Sequence, residues 1–236
     1  MSDVRSLCRS FLDEATQADW SNAELNSLIN AKYHEVRTMA VTAFEDYYLT
    51  TTTFNSVADQ EEYGSSDSAP TDVFKIRRVE LNYDVSNADG APTRCFPIHN
   101  IDEVRRDLGY VNSGLSNITT NGANYYTYGF RSNFKIGFIP KPDKTGTNAI
   151  KIWYVTEAAD LSSDSSDINI PYADKNYILL AYGATADALR FGQQAVGEAQ
   201  DFDVKYQTGM AKYQEELEDK VSEEAKMIVD TSPIII

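Results

Sequence analysis

The chain has 236 residues and a formal charge of -15 at neutral pH, with a sequence pI of about 4.5. Hydrophobic residues make up 42% and charged residues 24%, which is ordinary globular usage and excludes wholesale disorder. The acidic balance excludes a general nucleic-acid clamp, because affinity for phosphate backbones comes from Lys and Arg.

Two helices are predicted at the start of the chain. Apolar residues at helical spacing between Asp3 and Ala15 indicate a short amphipathic helix. Ser21 and Glu24 then form the S-x-x-E pattern of a capping box, with Trp20 placed as a hydrophobic staple, so a second helix is predicted to begin there. Its apolar stripe consists of Leu25, Leu28, Ile29, Tyr33, Val36, Met39, Ala40 and Ala43.

From Tyr47 onward the residue types favour strands, beginning with the β-branched and aromatic run YYLTTTTF. The acidic, Ser-rich stretch from Asp59 to Thr71 is predicted to be a turn or flexible loop. Further strands are predicted in FKIRRVELNY (74–83), Cys95 to Ile98, YYTYGF (125–130), FKIGFIPKP (134–142) and IKIWYV (150–155). A turn is predicted at Ser86 to Pro92, and a short helix at Ile101 to Leu108 behind Asn100 as N-cap.

Two more helices are predicted after the acidic loop from Asp160 to Asp167. Ile170-Pro171-Tyr172 opens the first, and Gly192 is its predicted C-cap. Its predicted core-facing residues are Tyr177, Ile178, Leu180, Ala181, Ala184, Ala188 and Leu189. The second is long, from about Ala195 to Val229. Its narrow stripe consists of Phe202, Tyr206, Met210, Tyr213, Leu217 and Val221.

The order of these elements predicts an α+β fold in which an inserted, mostly antiparallel β module projects from an α-helical bundle. Residues 1–46 and 170–229 supply the bundle, and residues 47–169 form the β-rich insertion. Residues 230–236 form an extended C-terminal arm.

No sequence signature of an enzyme is present. The chain lacks G-x-S-x-G, H-E-x-x-H, the phosphate-binding G-x-x-x-x-G-K-[ST], and a G-x-G-x-x-G that follows a strand. His34 and His99 are interpreted as packing or surface residues. A pair of catalytic carboxylates is not singled out on so acidic a chain. We therefore expect no catalysis and no cofactor.

Cys8 and Cys95 lack paired spacing, so they are expected to be buried free thiols rather than a disulfide or a zinc site. No apolar run reaches the length of a membrane span, and the N-terminus has no signal-peptide h-region. We expect a protein that is made in the cytosol and has no membrane partner.

Two loops and one strand have competing interpretations. The acidic loop residues have the residue types of a Ca²⁺ site, but the EF-hand pattern is absent and solvated turns are favoured. They are Asp59, Glu61, Glu62 and Asp67 in one loop, and Asp160, Asp164 and Asp167 in the other. Tyr125, Tyr126 and Tyr128 form a cluster suited to stacking on sugars or bases. Such a strand more often packs in a sheet, which we favour.

Two features near the C-terminus are the candidate functional residues. The last helix carries six closely spaced carboxylates, at Glu215, Glu216, Glu218, Asp219, Glu223 and Glu224. They form either a solvated helix face or, in a ring of copies, the lining of a negative channel. The arm consists of Asp230, Thr231, Ser232, Pro233, Ile234, Ile235 and Ile236. Its exposed isoleucines predict docking on a partner, the alternative being that the arm folds back on its own bundle.

Several segments, taken in order, resemble the head-to-tail adaptor proteins of tailed bacteriophages, including the type similar to tail tubular protein A. They are SNAELNSLINAKYHEV (21–36), QEEY (60–63), DVFKIRRVEL (72–81), YYTYG (125–129), FKIGFIPKP (134–142) and IPY (170–172). The loop after Tyr63 departs from the pattern, since acidic and Ser residues replace a short Leu-Pro-x-Asp link.

The resemblance implies a virion structural protein that forms a ring, commonly of twelve copies, beneath the portal protein. Helices would form the ring body, the β module would meet a downstream tail or nozzle protein, and the arm would reach the portal or a neighbouring copy. Twelve copies would carry about -180 (12 × -15), which suits a conduit that DNA crosses without specific binding. Assembly would occur in the host cytoplasm, and the mature location would be the portal vertex at the head-tail interface. The alternatives are another phage neck or tail ring component, such as a tail terminator, and a glycan-binding or host-surface-binding module.

Overall fold

The chain folds into two units, seen in a computed structural model that describes residues 1–14, 19–82, 93–98, 123–142, 144–192 and 196–226. One unit combines Met1–Tyr47 with Ala158–Ile236, and the other is Tyr48–Glu157. The first unit is helical and the second contains the sheet. This confirms the predicted α+β class, with helices from both ends of the sequence flanking an inserted β module.

The helical unit has four α-helices among the described residues: α1 (Ser2–Phe11), α2 (Asn22–Ala43), α3 (Ala173–Phe191) and α4 (Val196–Lys226). The predicted capping box begins α2. The Ser21 hydroxyl accepts the Glu24 N–H at 3.2 Å, and the Glu24 carboxylate accepts the Ser21 N–H at 2.9 Å. Five stripe residues of α2 are buried, namely Leu25, Ile29, Tyr33, Val36 and Ala40. Capping box and stripe therefore confirm the predicted helix.

Helix α3 is the centre of the helical unit, because α1, α2 and α4 all pack against it. Small residues allow this, and its buried positions are Leu179, Leu180, Ala181, Gly183, Ala184, Thr185, Ala186, Ala188 and Leu189. Helix α4 approaches closely at Gly209, where an added Cβ would lie 2.2 Å from Cδ2 of Leu179. Tyr177 and Ile178, predicted to face the core, are only half-buried. A single stripe cannot describe a helix that has neighbours on three sides.

The β unit has seven strands among the described residues. They are β1 (Leu49–Ser56), β2 (Glu62–Tyr63), β3 (Val73–Leu81), β4 (Thr93–Pro97), β5 (Ala123–Tyr128), β6 (Lys135–Ile139) and β7 (Gly146–Thr156). They form one sheet in the order β1-β7-β3-β4-β5-β6-β2. All neighbouring strands are antiparallel except β4 and β5.

One face of this sheet forms the core of the β unit. Its buried apolar residues are Phe54, Tyr63, Val79, Leu81, Cys95, Tyr125, Phe134, Ile136, Phe138, Ile150, Ile152 and Tyr154. They alternate along the strands with residues of the opposite face, as the period of two requires. The buried, unpaired state expected for the thiols of Cys8 and Cys95 is confirmed.

The prediction of a turn or flexible loop from Asp59 to Thr71 is wrong in part. This segment contains the short strand β2 and a 3-10 turn at Ser65–Asp67. Tyr63 is fully buried, and its hydroxyl accepts the Val57 N–H at 3.1 Å. A two-residue strand has too few residues to show alternation, so only the tertiary partner reveals it. The turn at Ser86–Pro92, the helix at Ile101–Leu108 and His99 lie outside the described residues.

Any side chain at Gly137 on β6 is expected to destabilise the β unit, because the ring of Tyr126 lies across this glycine. The two residues are paired in register, and a Cβ on Gly137 would lie 2.2 Å from Cζ of Tyr126. Gly137→Ala should lower the free energy of unfolding in urea by about 1–3 kcal/mol, the usual cost of overpacking.

Gly197 offers a matched control, since an added Cβ there meets nothing within 4 Å. Gly197→Ala near the start of α4 should be neutral or stabilising by up to about 1 kcal/mol. Equal unfolding midpoints for Gly137→Ala and the unmodified chain would contradict the close approach.

Candidate functional site

The acidic cluster of the last helix lies on the solvent-exposed side of α4. Tyr206, Met210, Tyr213 and Leu217 form the buried stripe, as predicted. The side chains of Glu215, Glu216, Glu218 and Asp219 are all exposed. Glu223 and Glu224 belong to the same helix, but their side chains lie outside the described part of the chain.

The helical repeat distributes these carboxylates around three sides of α4. Glu215 and Asp219 are four residues apart and lie opposite the buried stripe, because 100° separates successive residues. Glu216 flanks the stripe, and its carboxylate lies 3.5 Å from the side-chain nitrogen of Asn176 on α3. Gln214 donates to Glu218 at 2.8 Å. The cluster therefore presents negative charge to water over most of the helix circumference.

The negative charge of the whole chain is concentrated in the helical unit. Residues 1–47 and 158–236 contain 23 acidic and 10 basic residues, a net charge of -13. Residues 48–157 contain 13 acidic and 11 basic residues, a net charge of -2. The two units therefore differ strongly in net charge.

The C-terminal arm lies outside the described residues, but the helix that leads to it does not. Helix α4 is antiparallel to α3 and has 31 residues against 19. The contact between Glu216 and Asn176 places Glu216 near the start of α3. A further ten helical residues, or about 15 Å, separate Glu216 from Lys226. Helix α4 therefore extends past the start of α3 as far as Lys226.

The tyrosine cluster on β5 is divided between the two faces of the sheet. Tyr125 packs in the core, whereas Tyr126 and Tyr128 stack on the opposite face with ring centroids 6.3 Å apart. Tyr126 donates to Glu61 or Glu62, at 2.9 and 3.0 Å, and Tyr128 donates to Glu62 at 2.6 Å. Both hydroxyls are thus engaged within the sheet, which favours the packing interpretation over a glycan site.

The other candidate acidic residues have separate partners. Asp160 lies 2.7 Å from His34, Asp164 pairs with Arg5 at 2.8 Å, and Asp59 pairs with Lys141 at 2.9 Å. Asp67 accepts the Gly64 N–H at 2.9 Å, and hydrogen bonds of this kind hold its pKa below the usual range despite burial. Within the described ranges, no group of three or more His, Cys, Asp or Glu residues is arranged to hold a metal ion.

An ion-pair network between α1 and α2 was missed by sequence reasoning. The buried carboxylate of Glu14 pairs with Arg9 at 2.9 Å. It also accepts the N–H groups of Asp19 and Trp20 at 2.8 and 3.0 Å. Arg9 in turn donates to Asn22 at 2.9 Å. No periodic signal marks Glu14, because it lies in a polar segment between helices.

A second network joins three helices of the helical unit. Lys32 on α2 pairs with Asp187 on α3 at 3.0 Å and with Glu35 at 3.3 Å. Glu35 also accepts the Tyr206 hydroxyl of α4 at 2.8 Å. Gly183 leaves room for the Lys32 side chain, since an added Cβ would lie 2.8 Å from it. Lys32 falls at helical spacing between Ile29 and Val36, a signal that marks it as inward-facing.

Nowhere in the described ranges is there a helix with the length and apolarity that a bilayer crossing requires. A protein-family model described as "SU10 adaptor protein" matches residues 2–228. No curated protein matches the chain.

Proposed function

Because the chain belongs to the SU10 adaptor protein family, we propose that it forms a ring beneath the phage portal and provides the platform for tail attachment. The family match spans nearly the whole chain, and it is the observation that carries this proposal. It agrees at the level of a phage adaptor with the resemblance drawn from the sequence. The role is structural and places the protein in the virion.

The distribution of charge supports a ring through which DNA passes. Twelve copies would place 12 × -13, or -156, in the helical units. A negative lumen repels the phosphate backbone, so DNA moves through it without binding. The proposed lining consists of the exposed carboxylates Glu215, Glu216, Glu218 and Asp219, together with Glu223 and Glu224 further along the same helix. Like charges this close together destabilise a helix. A role in lining a channel would explain why the helix carries them.

The remaining parts of the molecule have proposed partners outside the subunit. The arm, residues 230–236, contacts the portal protein or a neighbouring copy. The β unit, with little net charge, faces a downstream tail or nozzle protein. Assembly takes place in the host cytoplasm by complementary packing, and the ring closes through heterologous contacts repeated around one axis.

Electron microscopy of the purified chain mixed with portal particles tests the proposal. The expected result is a closed ring of about twelve copies beneath the portal. Neutralising Glu215, Glu216, Glu218 and Asp219 to Gln or Asn should leave the ring intact and slow DNA release from reconstituted particles.

A matched control neutralises Glu198 and Asp201, which are exposed at the other end of α4. This variant should release DNA at the normal rate. Failure of the unmodified chain to bind portal particles would contradict the adaptor role. Equal release rates for both variants would contradict only the lining assigned to the acidic cluster.

A further inference from the structure

The two edges of the sheet differ sharply in how they are protected. In the part of the chain that the structure describes, β1 is one edge strand and β2 is the other. Each edge strand has a row of backbone N–H and C=O groups that face away from the sheet. Such a row is a template for another strand unless it is short, charged or covered.

The β2 edge is protected by two of these means. It has only two residues, Glu62 and Tyr63. The carboxylates of Glu61 and Glu62 reach inward over the sheet, where they accept hydrogen bonds from tyrosines of β5, and inward-pointing charges are a further protection of an edge. An added strand would gain few backbone hydrogen bonds here.

The β1 edge has neither protection. It has eight residues, LTTTTFNS, with no charged residue and no proline. Its only strand partner among the described residues is β7. Leu49, Thr51, Thr53 and Asn55 are exposed. Threonine-rich, uncharged and exposed, β1 has the properties of a strand that accepts a partner.

We infer that β1 accepts the C-terminal arm, Asp230–Ile236, of a second copy of this chain as an added strand. The inference rests on the proposed ring and names the acceptor of the arm. Seven arm residues extend over about 23 Å and the eight residues of β1 over about 26 Å, so the lengths match.

Two features of the chain favour an arm from a second copy. The arm has one charged residue and ends in three isoleucines, which are strong strand formers. Helix α4, which leads to the arm, runs past the start of α3 of its own helical unit before it ends at Lys226. In a closed ring each arm would then pair with β1 of the next copy, a heterologous contact that leaves no β1 strand without a second partner.

Pro233 fixes which arm residues pair with β1. Proline has no N–H, so in an added strand it must face away from the acceptor. Alternate residues face the same side, and therefore Ser232, Ile234 and Ile236 provide the pairing backbone groups while Ile235 does not.

Mixing two full-length variants, each with one added cysteine, tests the contact. Thr51→Cys on β1 and Ser232→Cys in the arm should be joined by a short bis-maleimide into a dimer that contains both variants. Cys8 and Cys95 are buried and stay unlabelled. Thr127→Cys is the matched control, because Thr127 is an exposed threonine on the internal strand β5.

The yield of mixed dimer with Thr51→Cys should exceed the yield with Thr127→Cys by about tenfold. A yield equal to that of Thr127→Cys would overturn the inference. A Thr51→Cys, Ser232→Cys double variant that links only within one chain would also overturn it, by showing that each arm fills its own edge.

Synthetic peptides of sequence DTSPIII test the pairing itself by competing with cross-linking. N-methylation at the position of Ile235 should leave competition unchanged. N-methylation at the position of Ile234 should weaken it by about tenfold, since a backbone hydrogen bond is lost. Equal competition by both peptides would overturn strand addition. Portal binding, measured in the same preparations, separates failure of the proposed ring from failure of this inference. If a ring forms on the portal but no cross-link forms, only the role of β1 is refuted.

Discussion

Raising the pH from about 9 to about 12 is expected to unfold the chain, because its buried thiols and phenols resist deprotonation in the native state. Burial raises the pKa of the Cys8 thiol from 9.0 to about 11 and that of Cys95 to about 12. Burial, with the Asp72 carboxylate beside it, raises the pKa of Tyr154 to about 12. Burial also raises the pKa of Tyr126 and Tyr206, each of which additionally donates to a carboxylate.

The sign follows from the difference between folded and unfolded states. Each native pKa lies above its unfolded value, so each group contributes its full stability below the unfolded pKa. That contribution is lost as the pH rises towards the folded pKa. Each group lowers the free energy of unfolding by at most about 1.4 kcal/mol per pH unit. Several such groups together approach the total stability of a typical domain, about 5–15 kcal/mol, within two pH units.

Urea unfolding at a series of pH values measures this effect, and Tyr154→Phe isolates one contributor. The variant should lose about 1 kcal/mol at neutral pH, with the hydrogen bond of 3.0 Å to Asp72. Above pH 10 its free energy of unfolding should fall less steeply, by up to about 1.4 kcal/mol per pH unit. Parallel curves for variant and unmodified chain would show that Tyr154 ionises as it does in water.

Glu14→Ala is expected to destabilise the helical unit by about 3–5 kcal/mol, because it leaves the Arg9 guanidinium without its buried partner. The same carboxylate accepts the N–H groups of Asp19 and Trp20, so two backbone donors also lose their acceptor. Glu14→Gln should cost less, since its amide oxygen still accepts those N–H groups.

The measurement is the urea midpoint followed by helical circular dichroism. Asp19→Ala is the matched control, because Asp19 is an exposed carboxylate in the same connection and its side chain should matter by less than about 0.5 kcal/mol. If Glu14→Ala and Asp19→Ala had the same midpoint, the Arg9–Glu14 pair would contribute nothing to joining α1 and α2.

The helical networks bear on the proposed ring, because a subunit of such a ring must hold its shape while neighbours pack against it. The Lys32 network joins α2, α3 and α4, and the Glu14 network joins α1 to α2. These partly buried ion pairs fix which helices are neighbours. The exposed carboxylates of α4 are then held in a fixed position relative to the other helices, as the proposed channel requires.

The kinds of elements and their order were predictable from the sequence. The capping box at Ser21, the stripe of α2 and the alternation in β6 and β7 depend on residues a few positions apart, so local spacing contains the whole signal. The adaptor resemblance depended on the order of such segments, and the family match over residues 2–228 supports it at that level.

Other features depend on residues far apart in the sequence, and local residue spacing does not predict them. Glu80 is buried on β3, where it pairs with Arg78 and lies between Arg94 and Lys151 in register. Sheet order likewise places β1 at an edge, although its composition resembles that of an internal strand.

The sequence by itself determined the α+β class, the acidic total and the candidate residues near the C-terminus. Only the tertiary structure decided that the charge belongs to the helical unit, which carboxylates are buried and paired, and which described strands lie at the edges of the sheet. The reason is physical. Secondary structure follows from neighbours along the chain, whereas burial and pairing follow from contacts that exist only after distant segments meet.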